Sequence, residues 1–274
     1  MSLKTQKILG ISITTSPKEE ILEEVRKYLE KVKSQKSKVK SEFTKSLIIF
    51  TPNPEIVMYG QKDQEFMRIV NSGQINIPDG VGITWAIKKR YGIIVHRIPG
   101  VEMMEDLVKM AAKEGCTIGL IGGWGGVAVR SLECLRARYP GLKGEVLEEP
   151  VIQSSKPNLK TQNSEANYFT RLVKEIVEKQ IDILFVGLGH PKQEYFINEL
   201  RSQFSVLSSQ SIVLMAVGGS FDIIAGKVKR APQFIRQIGL EWAYRLLREP
   251  WRWRRQINLL NFAGKIMSSR DEME

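Results

Sequence analysis

Residues 181–194 read IDILFVGLGHPKQE, and this stretch contains the elements that decide the fold. The run Ile181–Val186 is short and almost continuously apolar, which is typical of a strand buried on both faces of a sheet. Two glycines then predict a turn, and Pro191 suits the first turn of a helix that we expect over Pro191–Arg201. The stretch therefore predicts one strand, one turn and one helix in succession.

The same unit recurs along the chain. Further strands are predicted at Lys7–Ile13, Leu47–Phe50, Gln74–Ile77, Thr117–Ile121 and Ser211–Val217. Continuous apolar strands that alternate with helical patterns predict an α/β fold, with a mostly parallel, Rossmann-like sheet flanked by helices. Two polar stretches interrupt the pattern, and we expect a lysine-rich surface segment over Lys33–Lys45 and a loop over 151–165.

The composition excludes several classes of protein. The chain has 274 residues, of which 42% are hydrophobic and 26% charged, so it can bury a substantial core and is not disordered as a whole. No apolar run approaches the length of about 18 residues that a membrane-spanning helix needs. The two cysteines, Cys116 and Cys134, exclude a disulfide framework and suit a reducing compartment. We therefore expect a cytoplasmic protein.

The positive charge is concentrated near the C-terminus. The formal net charge is +11, and Lys227–Arg255 holds nine basic residues against only two acidic ones, Glu241 and Glu249. We predict an α/β core over 1–230 and a basic helical appendage over 231–274. Three tryptophans are interleaved with the arginines, a mixture suited to an anionic membrane surface. They are Trp242, Trp251 and Trp253. A basic adaptor that binds nucleic acid or membrane remains an alternative, although no nucleic-acid-binding motif is present.

Several unusual turns follow the predicted strands. The carboxyl ends of parallel strands meet at one edge of a sheet, so these turns predict a shared ligand site there. They are Thr51–Pro54, Pro78–Gly80, Gly122–Gly126, Gly187–Glu194 and Gly218–Ser220.

Asp79 is the candidate catalytic carboxylate. It lies between Pro78 and Gly80, where a short acid after a strand can project into the cleft and act as a general base on a hydroxyl. The alternative is an aspartate in an ordinary turn. Nearby in the predicted cleft, we expect His190 to be a hydrogen-bonding turn residue and Gln193 to bind a sugar or a phosphate.

No metal site is predicted. The chain has only two histidines, and it lacks the Asp-x-Asp pair with which many nucleotide-sugar enzymes hold a divalent ion. If the substrate carries a diphosphate, arginines, lysines and helix N-termini would have to meet its charge.

The glycine-rich turn offers a second enzymatic interpretation. Gly123–Ala128 fits the pattern G-x-G-x-x-A between a predicted strand and a predicted helix, which is the arrangement of a dinucleotide fingerprint. An NAD(P)-dependent oxidoreductase that uses the turn at 122–128 is therefore an alternative. A tight turn that presents amides to any phosphate explains the same residues.

Taken together, the motifs resemble those of the WecG/TagA/CpsF family of bacterial glycosyltransferases, from about Lys7 to Gln256. The lysine-rich stretch Lys33–Lys45 is the main departure from the family pattern. The matching segments are TPNP at 51–54, IPDGVG at 77–82, RIPGV at 97–101, IGG at 121–123, VGLGHPKQE at 186–194, VGGSFD at 217–222, RAP at 230–232 and GLEWAYRLL at 239–247.

The resemblance implies an inverting transfer of an N-acetylmannosamine-type sugar from UDP to N-acetylglucosamine on a polyprenyl diphosphate. The product would enter wall teichoic acid, capsule or exopolysaccharide synthesis at the inner face of the plasma membrane. Asp79 would be the general base, and no metal or other cofactor is expected. The implied binding residues are Thr51, Asn53, Arg97 and Gln193 in the pocket and Arg245, Arg252 and Arg255 from the appendage, which would close over the cleft. The resemblance leaves the particular sugar, the lipid and a homo-oligomer open.

Overall fold

The computed structural model describes residues 3–36, 46–150, 163–208, 210–237, 239–248 and 253–268. Its strands are β1 (Thr5–Ile8), β2 (Ile11–Thr14), β3 (Leu47–Phe50), β4 (Ile75–Asn76), β5 (Thr117–Gly122), β6 (Lys143–Val146), β7 (Ile181–Gly187) and β8 (Val213–Ala216). Its helices are α1 (Lys18–Lys36), α2 (Pro54–Gly60), α3 (Gln64–Asn71), α4 (Val81–Tyr91), α5 (Gly100–Glu114), α6 (Val127–Arg138), α7 (Asn163–Glu178), α8 (Lys192–Leu207), α9 (Ser220–Ile224), α10 (Gln233–Gln237), α11 (Glu241–Arg248) and α12 (Trp253–Ser268).

Six strands form the central sheet in the order β4-β3-β8-β7-β5-β6, and every pairing between neighbours is parallel. The predicted α/β class is therefore confirmed. The edge strand β6 is absent from our sequence prediction. Its only buried residue is Gly144, which has no side chain, so the apolar signal that marks the central strands is missing there.

Both faces of the sheet are buried, which explains why its strands are continuously apolar. Successive side chains of a strand point to opposite faces. In β3, Ile48 and Phe50 therefore join one core cluster, with α2, α3, α4, α8 and α12, whereas Leu47 and Ile49 join the other, with α1, α5, α6 and α9. Because helices cover both faces of the sheet, a ligand can reach it only at the ends of the strands, and open α/β sheets bind ligands at the carboxyl ends.

The prediction of a single strand over Lys7–Ile13 is wrong. This stretch is a β-hairpin, in which Leu9 and Gly10 have φ of 46° and 79° and form the turn between two antiparallel strands. The sequence pattern does not reveal this turn, because Leu9 is apolar like the strand residues around it although its backbone is left-handed. Two asparagine side chains fix the hairpin beside β4, since Asn76 Nδ2 donates to the carbonyl of Ser12 and Asn71 Oδ1 accepts from the Ser12 amide.

The two polar stretches lie partly outside the described residues. α1 continues to Lys36, so the start of the lysine-rich segment is helical, and residues 37–45 lie outside the described ranges. The predicted loop over 151–165 falls on 151–162, also outside those ranges, and its last three residues begin α7. The helix predicted over Pro191–Arg201 begins one residue later and extends to Leu207.

The C-terminal segment is helical where it is described, and α12 packs against the core. Phe262 and Ile266 are 0% and 3% exposed and belong to the cluster that also holds α2 and α4. Leu259 on the same helix lies 3.2 Å from the position that a Cβ on Gly82 would occupy, so α12 and α4 approach closely. Within the described ranges, none of the helices has both the length and the apolar character needed to cross a bilayer.

Candidate active site

A cavity of about 570 Å³ opens at the carboxyl edge of the sheet, within the size range of sites for small ligands. The helices that follow the neighbouring strands β3 and β8 pack on opposite faces of the sheet. The loops after these strands therefore diverge, which opens a crevice where open α/β sheets bind ligands. Residues from α11 and α12 line the side of the cavity away from the sheet.

The structure brings most of the predicted site residues together in this one cavity. Trp251 and Arg252 lie outside the described residues. Arg255 lies within α12, but its side chain is also outside them. Trp253 begins α12 and is 54% exposed. The predicted pocket residues that line the cavity are Thr51, Asn53, Asp79, Arg97, Gln193 and Arg245. Trp242, for which the sequence predicts membrane contact, lines the cavity as well.

Asp79 is placed by the turn that joins β4 to α4. Its amide donates to the carbonyl of Pro52 at 3.0 Å, which holds the turn against the end of β3. Gly80 has φ of 97°, a conformation that favours glycine, and it is the N-cap of α4. The side chain of Asp79 is thus held in the cavity wall by backbone contacts on both sides.

The surroundings of Asp79 raise the pKa of its carboxyl group to about 6 from a reference value of 3.8. Burial is the largest cause, because it disfavours the charged form. The guanidinium groups of Arg97, Arg245 and Arg230 act in the opposite direction, while the Glu241 carboxylate adds to the increase. A carboxylate with a pKa near the working pH suits a general base.

Two polar residues after β3 shape the floor of the cavity. Asn53 caps α2, because its Oδ1 accepts a hydrogen bond from the amide of Ile56 at 3.0 Å. Thr51 is 7% exposed, and its Cγ2 lies 3.3 Å from the position of a Cβ on Gly100, so α5 begins in close contact with it. Both residues line the cavity and also hold the helices that surround it.

Gln193 connects two walls of the cavity. It is 2% exposed, and its Oε1 accepts from the amide of Gly218 at 2.9 Å, while its Nε2 donates to Glu194 Oε1 at 2.9 Å. The side chain therefore links the start of α8 to the turn after β8. The sequence predicted contact with a ligand, and the structure adds this positioning of the Gly218 turn.

His190 differs from the sequence expectation of a hydrogen-bonding turn residue. Its ring packs edge-on against Tyr59 and Phe66, with centroid distances of 4.9 and 5.0 Å. Neither ring nitrogen makes a hydrogen bond with the described residues, although Nδ1 lies 3.4 Å from Glu194 Oε2. The ring contributes an aromatic part of the cavity wall.

The glycine-rich turn after β5 is required by close backbone packing. Gly122 has φ of 99°, and a Cβ there would lie 2.6 Å from the carbonyl oxygen of Gly187 on the neighbouring strand β7. Gly123 and Trp124 continue into the cavity wall, and Trp124 is 69% exposed. Gly125 and Gly126 have open space around them but φ of 69° and 77°, a conformation that favours glycine. Close packing at Gly122 and positive φ at the later glycines account for the turn without a dinucleotide.

Three acidic residues of the cavity, Glu55, Asp222 and Glu241, are absent from our sequence prediction of the site. Glu241 binds Arg97 Nη1 through Oε2 at 3.2 Å and Arg230 Nε through Oε1 at 3.4 Å. The sequence feature that could have indicated Glu241 as a site residue is its position as one of only two acids in the basic segment Lys227–Arg255. Asp222 lies in the first turn of α9, 3.5 Å from Lys227 Nζ. Across the described part of the chain, no three His, Cys, Asp or Glu side chains are grouped as metal ligands would be.

The fold and the cavity define an α/β protein with a buried carboxylate and several arginines at the carboxyl edge of its sheet, an arrangement suited to an enzyme with an anionic substrate. Residues 6–273 match the glycosyl transferase WecG/TagA/CpsF family. The chain belongs to this family, which confirms the prediction of a glycosyltransferase. The oxidoreductase and adaptor interpretations are therefore set aside.

Curated relatives cover most of the chain. An N-acetylglucosaminyldiphosphoundecaprenol N-acetyl-beta-D-mannosaminyltransferase of Bacillus subtilis (strain 168) is 32% identical over 223 residues, 80% of this chain and 78% of the relative. A protein with the same name from Staphylococcus aureus (strain MW2) is 32% identical over 253 residues, 90% of this chain and 85% of the relative.

Proposed function

We propose that this protein transfers N-acetylmannosamine from UDP to N-acetylglucosamine on a polyprenyl diphosphate, with inversion at the anomeric carbon. The product would enter wall teichoic acid, capsule or exopolysaccharide synthesis. The names of the relatives support the two sugars and the lipid diphosphate. The observation that carries the proposal is the partly buried Asp79 carboxylate, which shares one cavity with Arg97 and Arg245.

In this mechanism Asp79 accepts the proton of the attacking hydroxyl. The acceptor oxygen forms the new bond to the anomeric carbon while the bond from that carbon to the UDP oxygen breaks, and UDP leaves with the electron pair. A single in-line displacement inverts the configuration. The proton ends on the Asp79 carboxylate and is released to water, so each cycle yields the disaccharide lipid, UDP and one proton.

Arginines would balance the charge that develops on the departing diphosphate. Fixed cations in a partly dry cavity stabilise such charge more strongly than they would in water. Arg245 is suited to this role because its Nε is buried and makes no hydrogen bond with the described residues. We propose that Arg97 and Arg245 act in this way and that the reaction needs no metal ion.

The transfer reaction is the direct test. Purified protein is incubated with a panel of UDP-sugars and a short-chain lipid-diphosphate N-acetylglucosamine acceptor, with and without EDTA, and both UDP and the disaccharide lipid are measured. We expect UDP-N-acetylmannosamine to be the preferred donor and EDTA to change the rate by less than about twofold. Absence of product with every UDP-sugar would overturn the proposed function, and strong inhibition by EDTA would overturn its metal independence.

We further propose that the protein binds peripherally to the inner face of the plasma membrane, where a lipid-linked acceptor would lie. The outer face of α12 supports this proposal. Four apolar side chains repeat along it at helical spacing and are 43–72% exposed, whereas the opposite face is buried in the core. They are Trp253, Ile257, Leu260 and Met267, which we call the α12 stripe.

Replacing an apolar side chain of the α12 stripe tests the membrane proposal. Leu260 is 72% exposed, so Leu260→Gln costs little folding free energy but removes about 2 kcal/mol of transfer into a bilayer interface. We expect about thirtyfold weaker binding to vesicles with anionic lipid, measured by co-sedimentation. Val206→Gln on α8 is the matched control, since Val206 is 79% exposed away from the stripe. Equal losses in the two variants would contradict the proposal.

A further inference from the structure

Glu241 binds two arginines from different parts of the chain. Its side chain is 13% exposed, and each carboxylate oxygen faces one guanidinium group, that of Arg97 at 3.2 Å and that of Arg230 at 3.4 Å. Arg230 in turn binds Glu102 at 2.6 Å. One carboxylate therefore joins the segment before α5, the segment after α9 and the start of α11.

The backbone beside Glu241 is held tightly as well. Gly239 has φ of 78°, and a Cβ there would lie 2.7 Å from Cγ1 of Val81, the first residue of α4. Val81 follows the turn that carries Asp79. The backbone just before α11 thus packs closely against α4, which follows the turn that carries Asp79. The ion pairs of Glu241 lie two residues from this contact.

The position of Glu241 also determines where Arg245 lies. The two residues are four apart in α11, so they lie on the same face of the helix. Arg248, three residues further, is exposed instead and stacks over the ring of Tyr244 at 5.5 Å. Fixing Glu241 against Arg97 therefore turns Arg245 towards the cavity.

The charges near Asp79 explain why an acid is needed at this position. Partly buried arginines lose hydration, and such a group is stable only when an anion compensates it. Glu241 neutralises one of the three arginines that act on Asp79, which are Arg97, Arg230 and Arg245. Glu102 pairs with Arg230 and also with Arg236, so four arginines in this group face the three carboxylates of Asp79, Glu102 and Glu241. One positive charge is in excess and is available to an anionic ligand.

We propose that Glu241 is a positioning residue of the transfer reaction, holding Arg97 and Arg230 so that α11 presents Arg245 to the cavity. The inference rests on the proposed function for its kinetic test. Glu241 does not touch the reacting atoms in this proposal and acts through the arginines.

The pH profile separates this role from a merely structural one. The groups that act on the carboxyl group of Asp79 are Arg97, Arg245 and Arg230, which lower its pKa, and Glu241, which raises it. Glu241→Gln removes a negative charge, which by itself would lower the pKa of Asp79. It also releases Arg97 and Arg245, and the effect of Arg97 on Asp79 is larger than that of Glu241, so the net pKa of Asp79 should rise. Because the general base works in its ionised form, the acid limb of the rate profile should move to higher pH.

The experiment compares Glu241→Gln, Glu241→Asp and Glu102→Gln with the wild type. Glu102→Gln is the matched control, because it removes ion pairs to Arg230 and Arg236 but leaves the pair of Arg97 with Glu241. For Glu241→Gln we expect a kcat at pH 8 that is lower by about 10–100-fold, because Arg97 and Arg245 are misplaced. Its acid midpoint should move up by about half a pH unit, because the two arginines no longer lower the pKa of Asp79. Glu241→Asp should restore part of the rate, and Glu102→Gln should leave the midpoint in place.

A midpoint that is unchanged or lower in Glu241→Gln, or equal effects of Glu241→Gln and Glu102→Gln on rate and midpoint, would overturn the inference. Limited trypsin digestion provides a readout that needs no substrate. Release of α11 from the core should make Glu241→Gln at least about tenfold more sensitive than the wild type to cleavage after Arg245 and Arg248. If the wild type transfers no sugar, the proposed function fails, whereas unaltered cleavage contradicts the positioning role alone.

Discussion

Asp79→Asn is expected to lower kcat by about 10²–10⁴-fold, because it removes the carboxylate that we propose as the proton acceptor. The amide keeps the size of the side chain, and the backbone hydrogen bond to Pro52 is unaffected. UDP release and disaccharide formation are measured with donor and lipid acceptor present. Asp106→Asn is the matched control, since Asp106 pairs with Lys18 on α1 and is not part of the cavity wall.

The pH dependence provides a second readout of the same variant. The pKa of the Asp79 carboxyl group is about 6, so the wild-type rate should fall as the pH drops through about 6, and Asp79→Asn should lose this limb. A near-wild-type rate for Asp79→Asn would contradict the assignment. If Asp222→Asn alone abolished transfer, the other aspartate of the cavity would be the base instead.

The same pKa shift has a consequence for stability. The native state holds the proton of Asp79 more tightly than the unfolded chain, whose reference pKa is 3.8. The contribution of this group to the free energy of unfolding is therefore fully present below pH 4 and decreases as the pH rises towards 6. Because Asn carries no charge, Asp79→Asn should raise Tm at pH 7.5 by about 2–4 °C, measured by calorimetry.

Arg245→Gln is expected to lower kcat by about 10²–10³-fold, because the departing diphosphate loses a fixed cation. The buried Nε of Arg245 would find its acceptor in this diphosphate. The effect should appear in kcat with a smaller change in KM for the donor, since the negative charge on the leaving oxygen grows during the reaction.

Arg248→Gln is the matched control for that variant. It removes the same charge from the same helix, but Arg248 is exposed and stacks on Tyr244 instead of lining the cavity. We expect its kcat with a short-chain acceptor to stay within about twofold of the wild type. Similar losses in the two variants would mean that the general basic charge of α11 matters, and the specific role of Arg245 would be wrong.

The sheet could be predicted because its signal is local. The run Ile181–Val186 is apolar except for Asp182, and glycines supply the turn that follows it. The hairpin at Thr5–Thr14 was missed because Leu9 is apolar and yet occupies a left-handed turn position. The edge strand β6 was missed because edge strands bury few side chains.

The position of a cavity residue could be predicted where a single turn after a strand supplies it, as for Asp79. It could not be predicted where two distant segments have to meet. Glu241 pairs with Arg97, which is 144 positions away in the sequence, so only the fold brings the two together. Gln193 shows an intermediate case. Its place near the start of a helix indicated the cavity, but its hydrogen bond to Gly218 depends on how β8 lies beside β7.

The burial of Phe262 and Ile266 affects how this protein is made. In the order of synthesis α12 follows every strand, yet it fills part of the core that α2 and α4 begin to build. A nascent chain that ends before residue 262 has an incomplete core, and it also lacks Leu259 from the wall of the cavity. The core and the cavity are therefore completed together, once α12 has been synthesised and packs against α2 and α4.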